Sequence, residues 1–304
     1  MSLIIFSHED CLAHAPPPGH PERSERLQAA MAGVEQLDQP EVRQAEPADD
    51  EDLKRVHGVN YLQSLRDLDA SGSLLSLDPD TYIGRGSLRA ARLAAGAVCQ
   101  GVDQVVRDPE RAVFAVVRPP GHHAESAQAM GFCLLNSIAV AAARAAEVHG
   151  LKRVAVVDFD VHHGNGTEAI LQDDSRYMFI SSHQASIYPG TGDPATTKGS
   201  NIVNATLTAN SGSDEFRALW TERLLPALDR FKPELILVSA GFDGHWRDPL
   251  AQLQLKDQDF FWIGEQLRQT AKAHANGRLV ASLEGGYDLA AITESVVAFS
   301  EGIE

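Results

Sequence analysis

Val154-Ala155-Val156-Val157-Asp158-Phe159-Asp160-Val161-His162-His163-Gly164-Asn165-Gly166-Thr167-Glu168 reads as a buried strand that runs directly into a cluster of metal-binding residue types. The four small or β-branched apolar residues at its start form a continuous apolar run, as expected for a strand covered on both faces. Gly164 and Gly166 then break the pattern before a helical stretch begins. Side chains alternate along a strand, so the spacing predicts Asp158, Asp160 and His162 on one side until the chain turns. Two carboxylates buried this close raise each other's pKa and resist desolvation, and a bound cation removes both difficulties. A metal site therefore accounts for Asp-x-Asp-x-His-His-Gly-x-Gly better than a strand end with helix-capping acids and solvated histidines.

Working outward, 304 residues suffice for a large core, and apolar runs alternate with Ala/Leu-rich helical stretches. The expectation is one α/β domain over residues 1–304, with a mostly parallel sheet and helices on both faces. The net charge is −16, from 42 acidic and 26 basic residues. That balance disfavours nucleic acid and is compatible with cationic partners. Cys11, Cys99 and Cys133 are widely spaced and form no CxxC, which argues against a disulfide framework or a cysteine metal site and fits a reducing, cytosolic compartment. The apolar Leu3 to Phe6 is too short for a secretory segment, and nothing later approaches the ~20 apolar residues of a membrane span. The expected protein is soluble and makes no membrane contact.

Strands are predicted at Leu3–Phe6, Ala112–Val117, Val154–Asp160, Tyr177–Ser182, Asn201–Leu207, Leu235–Ala240 and Leu279–Leu283. Most have helices between them, as parallel strands joined by crossovers require. Cys11 to Pro21 reads as a loop, and Gly19 to Leu27 as the opening of a helix with its proline early and its acids in the first turn. Arg23 and Arg26 are expected on that helix's surface, unless one reaches inward to a carbonyl or an acid. Asp49–Leu65 and Gly86–Val106 read as helices, with Ser71–Gly84 as a loop between them.

In such a sheet ligands collect beyond the carboxyl ends of the strands. Arg118-Pro119-Pro120-Gly121-His122-His123-Ala124 follows one run and Asp158 to His163 closes another. Gly241-Phe242-Asp243-Gly244-His245-Trp246-Arg247-Asp248-Pro249-Leu250 follows a third, and Glu284-Gly285-Gly286-Tyr287-Asp288 a fourth. A catalytic zinc keeps three protein ligands and leaves a position for water, and Asp160, His162 and Asp243 supply that count. Iron(II) or cobalt suits the same oxygen and nitrogen donors. His122 and His123 are the candidate bases, with Asp158 and Asn165 available to orient them. Tyr287, in a glycine-flanked loop, can donate its phenol O–H to a developing oxyanion.

These motifs, from His20-Pro21-Glu22-Arg23 to Glu284-Gly285-Gly286-Tyr287, resemble the zinc-dependent histone deacetylase and acetylpolyamine amidohydrolase family, most closely its class II branch. The resemblance implies the arginase-deacetylase fold and removal of acetyl or other acyl groups from lysine ε-amines, with attack by a metal-bound water. It implies zinc on Asp160, His162 and Asp243, tandem catalytic His122 and His123, and a transition-state Tyr287. Asp158 would orient His122 and also contact a structural potassium ion, together with Asp160, His162, Ser181 and Ser182. Gly131, Phe132 and Tyr188 match the walls of an acyl-lysine tunnel. Where family members carry Asp at the position of Asn165, the second histidine is paired with a charge; the neutral amide here favours a neutral His123 as base.

The expected substrate is an acyl-lysine protein or peptide, the alternative a small acylated amine. Polyamine-selective members can place Glu directly after an Asp-Pro that follows the third ligand, where this chain has Asp248-Pro249-Leu250, and Leu250 can pack on the aliphatic stem of acyl-lysine. A binuclear manganese ureohydrolase would need carboxylates where Gly164 and His245 stand, and a non-catalytic acyl-lysine-binding module would leave the histidines and tyrosine without use. Cys133 is expected as a small wall and Trp220, Trp246 and Trp262 as packing residues. His8, His14, His57, His149, His183 and His274 are expected as capping or surface groups, and His20 near the tunnel rim.

Overall fold

The apolar runs become an eight-stranded sheet in which every neighbouring pair is parallel. The structure, a computed structural model, describes residues 3–304. In chain order the sheet strands are β1 (Ile4–Ser7), β2 (Glu41–Gln44), β5 (Val113–Ala115), β6 (Val154–Asp158), β7 (Tyr177–Gln184), β8 (Ile202–Leu207), β9 (Leu235–Ala240) and β10 (Leu279–Leu283). A small antiparallel hairpin joins β3 (Leu75–Ser76) to β4 (Tyr82–Ile83). The spatial order is β2-β1-β5-β10-β9-β6-β7-β8. All residues of β5, β6, β9 and β10 are buried, which is why these segments are apolar without alternation.

Helices cover the sheet in two groups. α4 (Ser87–Arg107) packs on β1, β5 and β10 and beside α5 (Ser137–Glu147), and the helix Leu289–Ile303 packs on both α1 (Glu25–Val34) and the helix Asp257–His274. The Ala-rich α4 comes close to the sheet because Gly101 faces it, where a Cβ would lie 2.7 Å from Val280 and 3.0 Å from Val113. Among the described residues, no helix is long and apolar enough to cross a membrane.

Three local expectations need correction, and one strand, β2, was not predicted at all. The segment Asp49–Leu65 is two helices, α2 (Asp50–Leu53) and α3 (Val59–Ala70), parted where the Gly58 N–H turns away to the Ser126 carbonyl. α1 starts at Glu25, because Glu22 is drawn into a buried ion pair and cannot serve as a first-turn acid. The loop from Cys11 includes part of a 3₁₀ turn, Glu9–Ala13, capped by His8. The strand β2 has no apolar signature: only Glu41 and Arg43 turn partly inward, and Glu41 bonds Arg43 and Arg111. Charge on an edge strand discourages pairing with other chains.

Candidate active site

Strands β5, β10, β9 and β6 lie side by side, so their four carboxyl ends bring His122 and His123, Glu284, Asp243 and Asp158 together although the chain visits them far apart. β6 ends at Asp158, and Asp160 and His162 lie in the turn beyond it, before α6 (Asn165–Leu171). One ligand atom each from Asp160, His162 and Asp243 lies within 4.8 Å of the others, and all three residues are buried. His162 Nδ1 is 3.2 Å from Asp160 Oδ1 and 3.1 Å from Asp243 Oδ2. Backbone N–H groups aim the carboxylates: Gly285 donates to Asp160 Oδ2 at 2.8 Å and Val161 to Asp243 Oδ1 at 2.9 Å. Position 285 must be glycine for this, since a Cβ there would meet Asp243 Oδ2 at 2.0 Å.

A bound cation would relieve the cost of burying these charges together. Burial, and then Asp160, raises the carboxyl pKa of Asp243, while burial disfavours a charged His162 but its two carboxylate partners lift the imidazole to about 10. Asp158 is raised by burial, and Asp160 adds to it. An Asp/His/Asp set so placed fits a divalent ion with oxygen and nitrogen donors, zinc, iron(II) or cobalt.

The tandem histidines differ in partner. His122 Nδ1 lies 3.0 Å from Asp158 Oδ2, and His123 Nδ1 lies 2.8 Å from Asn165 Oδ1. Burial lowers both imidazoles, but Asp160 and Asp158 outweigh it at His122 and raise it to about 10. At His123 burial is reinforced by His122 and His162, so its pKa falls well below 6.5.

A cavity of 230 Å³ opens onto these groups, with His123, His162 and Tyr287 lining it beside Gly131, Phe132, Tyr188 and Leu250. Tyr188 stands edge-on to His123 at 5.1 Å between ring centroids, and Phe132 edge-on to Tyr287 at 5.8 Å. Gly131, at φ +56°, lets the Phe132 wall approach, because a Cβ there would sit 2.4 Å from the His123 ring. His20 packs at 4.7 Å against Phe132 on the rim side, near Pro21 and Asp80, which also line the cavity. The buried Cys133 thiol donates to the Gly131 carbonyl, and burial raises its pKa well above the usual range, so it is a wall rather than a thiolate. The Ser181 and Ser182 hydroxyls are engaged by His183 Nδ1 and Trp220 Nε1.

Some of the remaining groups depart from expectation, whereas of the two arginines Arg26 makes the inward reach to a carbonyl that the sequence left open. Arg26 is buried, stacks at 4.8 Å over Tyr287, and donates to the carbonyls of Glu284 and Gly286, both at 2.5 Å. Arg23 is exposed. His14, His57 and His183 are buried, bonding Ser87, the Asn136 N–H and Ser181 respectively. Trp246 is 52% exposed, with Arg247 over its ring, and is no packing residue. Glu284 had no assigned role from sequence. It accepts from the N–H groups of Gly121 and His122 at 2.6 and 3.1 Å, and burial lifts it to about 7. Asp248 accepts from the Tyr287 N–H at 2.7 Å and so ties the tyrosine loop to the loop that carries Asp243. The signal for both acids is a carboxylate placed straight after an apolar strand or metal-ligand loop.

At the two bridging positions a binuclear cluster would need, Gly164 has no room for a side chain, its Cβ falling 2.3 Å from Asp158 Oδ2. His245 lies 3.5 Å from Asp257, outside the Asp160/His162/Asp243 group.

The profile of the histone deacetylase domain matches residues 18–303, and the chain belongs to the histone deacetylase family. Its sheet and helices superpose on the crystal structure of the HDA15 HD domain with a TM-score of 0.90 at 31% identity, covering 98% of this chain and 87% of that one. This is the arginase-deacetylase fold. The chain is 40% identical to the histone deacetylase-like amidohydrolase of Pseudomonas aeruginosa, over 93% of this chain and 81% of the relative. It is 37% identical to the human polyamine deacetylase HDAC10, over 97% of this chain and 47% of the relative. The chain spans 20% of the length of one curated relative that it matches, the type-2 histone deacetylase 2 of Dictyostelium discoideum, and 97% of another, from Synechocystis. The family is one of hydrolases acting on amides.

Proposed function

We propose that residues 1–304 form one deacetylase domain, a metal-dependent amidohydrolase that removes acetyl or other acyl groups from the ε-amine of lysine. The observation that carries this reading is the convergence of the Asp160/His162/Asp243 group, neutral His123 and Tyr287 on one narrow, aromatic-walled cavity. A divalent ion held by those three ligands, zinc in the first instance, would supply Lewis acidity toward the amide carbonyl and lower the pKa of a water.

His123 takes the proton of the attacking water at Nε2, because its Nδ1 is committed to Asn165. His122, whose Nδ1 lies 3.0 Å from Asp158, faces the negative charge that develops and can return a proton to the leaving amine. Burial keeps the Tyr287 phenol protonated at any ordinary pH, so it can donate to the oxyanion. Phe132 and Tyr188 flank the aliphatic stem of the substrate and exclude water, and Leu250 adds an apolar contact at the mouth.

The second reading is a small acylated amine. It is favoured by Asp80, a carboxylate on the cavity lining, and by the polyamine activity named for the human relative. The same family reading includes a potassium ion at Asp158, Asp160, His162, Ser181 and Ser182. With both serine hydroxyls already engaged, it would rest on the other oxygens of these residues, and replacing potassium by sodium should lower thermal stability or activity. A cytoplasmic location is supported by three cysteines that are free thiols.

The deciding experiment assays protein loaded with zinc, iron(II) or cobalt against acetyl-lysine peptides, longer acyl-lysines, acetylated polyamines and arginine. Turnover of arginine alone would overturn the proposal.

A further inference from the structure

Asn165 faces His123 with one end of its amide and other residues with the opposite end. Its Nδ2 lies 3.1 Å from Glu125 Oε1 and 3.3 Å from Met130 Sδ, while its Oδ1 lies 2.8 Å from His123 Nδ1. An ionised carboxylate and a thioether can only accept, so the amide nitrogen must face them and the oxygen must face the imidazole. The oxygen in turn accepts only from an Nδ1–H. A neutral imidazole with its proton on Nδ1 has its lone pair on Nε2, the nitrogen left free of Asn165 on a ring that lines the cavity. An asparagine, unlike an aspartate, can present either end: rotated by half a turn it would donate to Nδ1 and force the proton onto Nε2, where the ring cannot act as a base. The tautomer of the neutral ring therefore decides whether Nε2 of His123 is competent as a base.

We infer that Glu125 is a positioning residue which, by accepting from the Asn165 amide, holds His123 in its Nδ1–H tautomer and so keeps Nε2 available as the base. Glu125 follows the tandem histidines by two positions, and its own N–H is fixed by the Gln128 carbonyl, so the carboxylate belongs to the turn that carries His123. The inference rests on the proposed role of His123. It adds that a chain with Asn at position 165 needs an acceptor behind the amide, whereas one with Asp does not.

The test combines a tautomer measurement with kinetics. ¹⁵N chemical shifts of the His123 ring in the metal-free protein report which nitrogen carries the proton, independently of turnover. Wild type is expected to show Nδ1–H. Glu125→Leu removes the acceptor and is expected to populate the Nε2–H form and lower kcat on an acetyl-lysine peptide by about 10-fold or more with little change in KM, the scale for partners that orient a site residue. Glu125→Gln keeps an acceptor oxygen and is expected to retain tautomer and kcat. In the Glu125→Leu background, Asn165→Asp presents oxygen either way and is expected to recover kcat. An unchanged Nδ1–H signal and kcat in Glu125→Leu would overturn the inference. A kcat loss that Asn165→Asp does not recover would overturn it too, as would a 10-fold loss in a folded Glu125→Gln, which also decides the matter should the leucine variant not fold. If His123→Ala keeps its kcat, the base assignment fails, and the tautomer result still stands or falls separately.

Discussion

Arg118 grips Glu22 through two parallel hydrogen bonds of 2.7 Å, from Nε to Oε1 and from a terminal nitrogen to Oε2, and neither side chain is exposed to solvent. Arg26 adds a third bond to Glu22 at 3.0 Å, and its remaining N–H groups hold the carbonyls around Tyr287. Burial alone would raise the Glu22 carboxyl, but Arg118, then His14 and Arg26, outweigh it and bring its pKa from 4.5 down to about 2. These buried charges connect Glu22 through Arg26 to the backbone on either side of Tyr287, so the integrity of that connection is linked to pH.

Because the folded pKa of Glu22 lies below the unfolded one, its contribution is complete above pH 4.5 and is lost as the pH falls toward 2. His14 acts in the same direction at higher pH: burial lowers it from 6.5 to about 4, so the unfolded chain takes up the proton first and stability falls as pH drops through that window. Urea unfolding should therefore show a midpoint that declines below pH 6.5 and declines further below 4.5. Glu22→Gln should cost on the order of 3 kcal/mol at pH 7, since it leaves two buried guanidinium groups without a carboxylate, and should remove the lower step. A Glu22→Gln midpoint equal to wild type would show the pair to be dispensable.

Asp160→Ala and Asp243→Ala should each abolish stoichiometric metal binding and most activity, because each removes one of three buried ligands and leaves the others short of a coordination set. Elemental analysis of wild type is expected to give one divalent ion per chain. Two ions in wild type, or full occupancy in either variant, would contradict the site.

Tyr287→Phe should lower kcat by about 10²-fold or more while metal content and substrate affinity stay near wild type, as loss of one oxyanion donor does. The ring would keep its contacts with Phe132 and Arg26, so a loss of folding is not expected. Near-normal kcat would reassign the phenol to packing.

Leu250 is 38% exposed at the cavity mouth, with an apolar side chain where a distal ammonium would need an anion. Acetyl-lysine peptide should exceed N-acetylputrescine in kcat/KM, and Leu250→Glu should shift the ratio toward the polyamine by about 1 to 3 kcal/mol, the scale of a hydrogen bond to a charged group. Asp80 on the same lining pulls the other way. A wild-type preference for the polyamine would make Asp80, and not Leu250, the determinant.

Much of the site was legible because it is written at strand ends. Local spacing is enough to see that Asp158, Asp160 and His162 follow one apolar run, that His122 and His123 follow another, and that Asp243 and Tyr287 follow two more. The parallel α/β class follows from runs without alternation, since only a sheet covered on both faces buries every residue of a strand.

What only the tertiary structure decided are the relationships that bridge long stretches of chain. The adjacency of β10, β9 and β6 brings Gly285 onto Asp160 across 125 positions, and that of β1 and β5 brings Arg118 onto Glu22 across 96; no local pattern encodes such neighbours. The burial of His14 and His57 was missed for the same reason: a polar side chain is read as exposed until the partner that satisfies it is known, and these partners come from tertiary packing. The edge strand β2 escaped because its pairing is bought with backbone hydrogen bonds and charge rather than apolar alternation. The sequence by itself determined which chemistry the strands deliver. Only the folded sheet determined which way each imidazole faces, because that depends on Asp158, Asn165 and Glu125 meeting side chains 36 to 42 positions away.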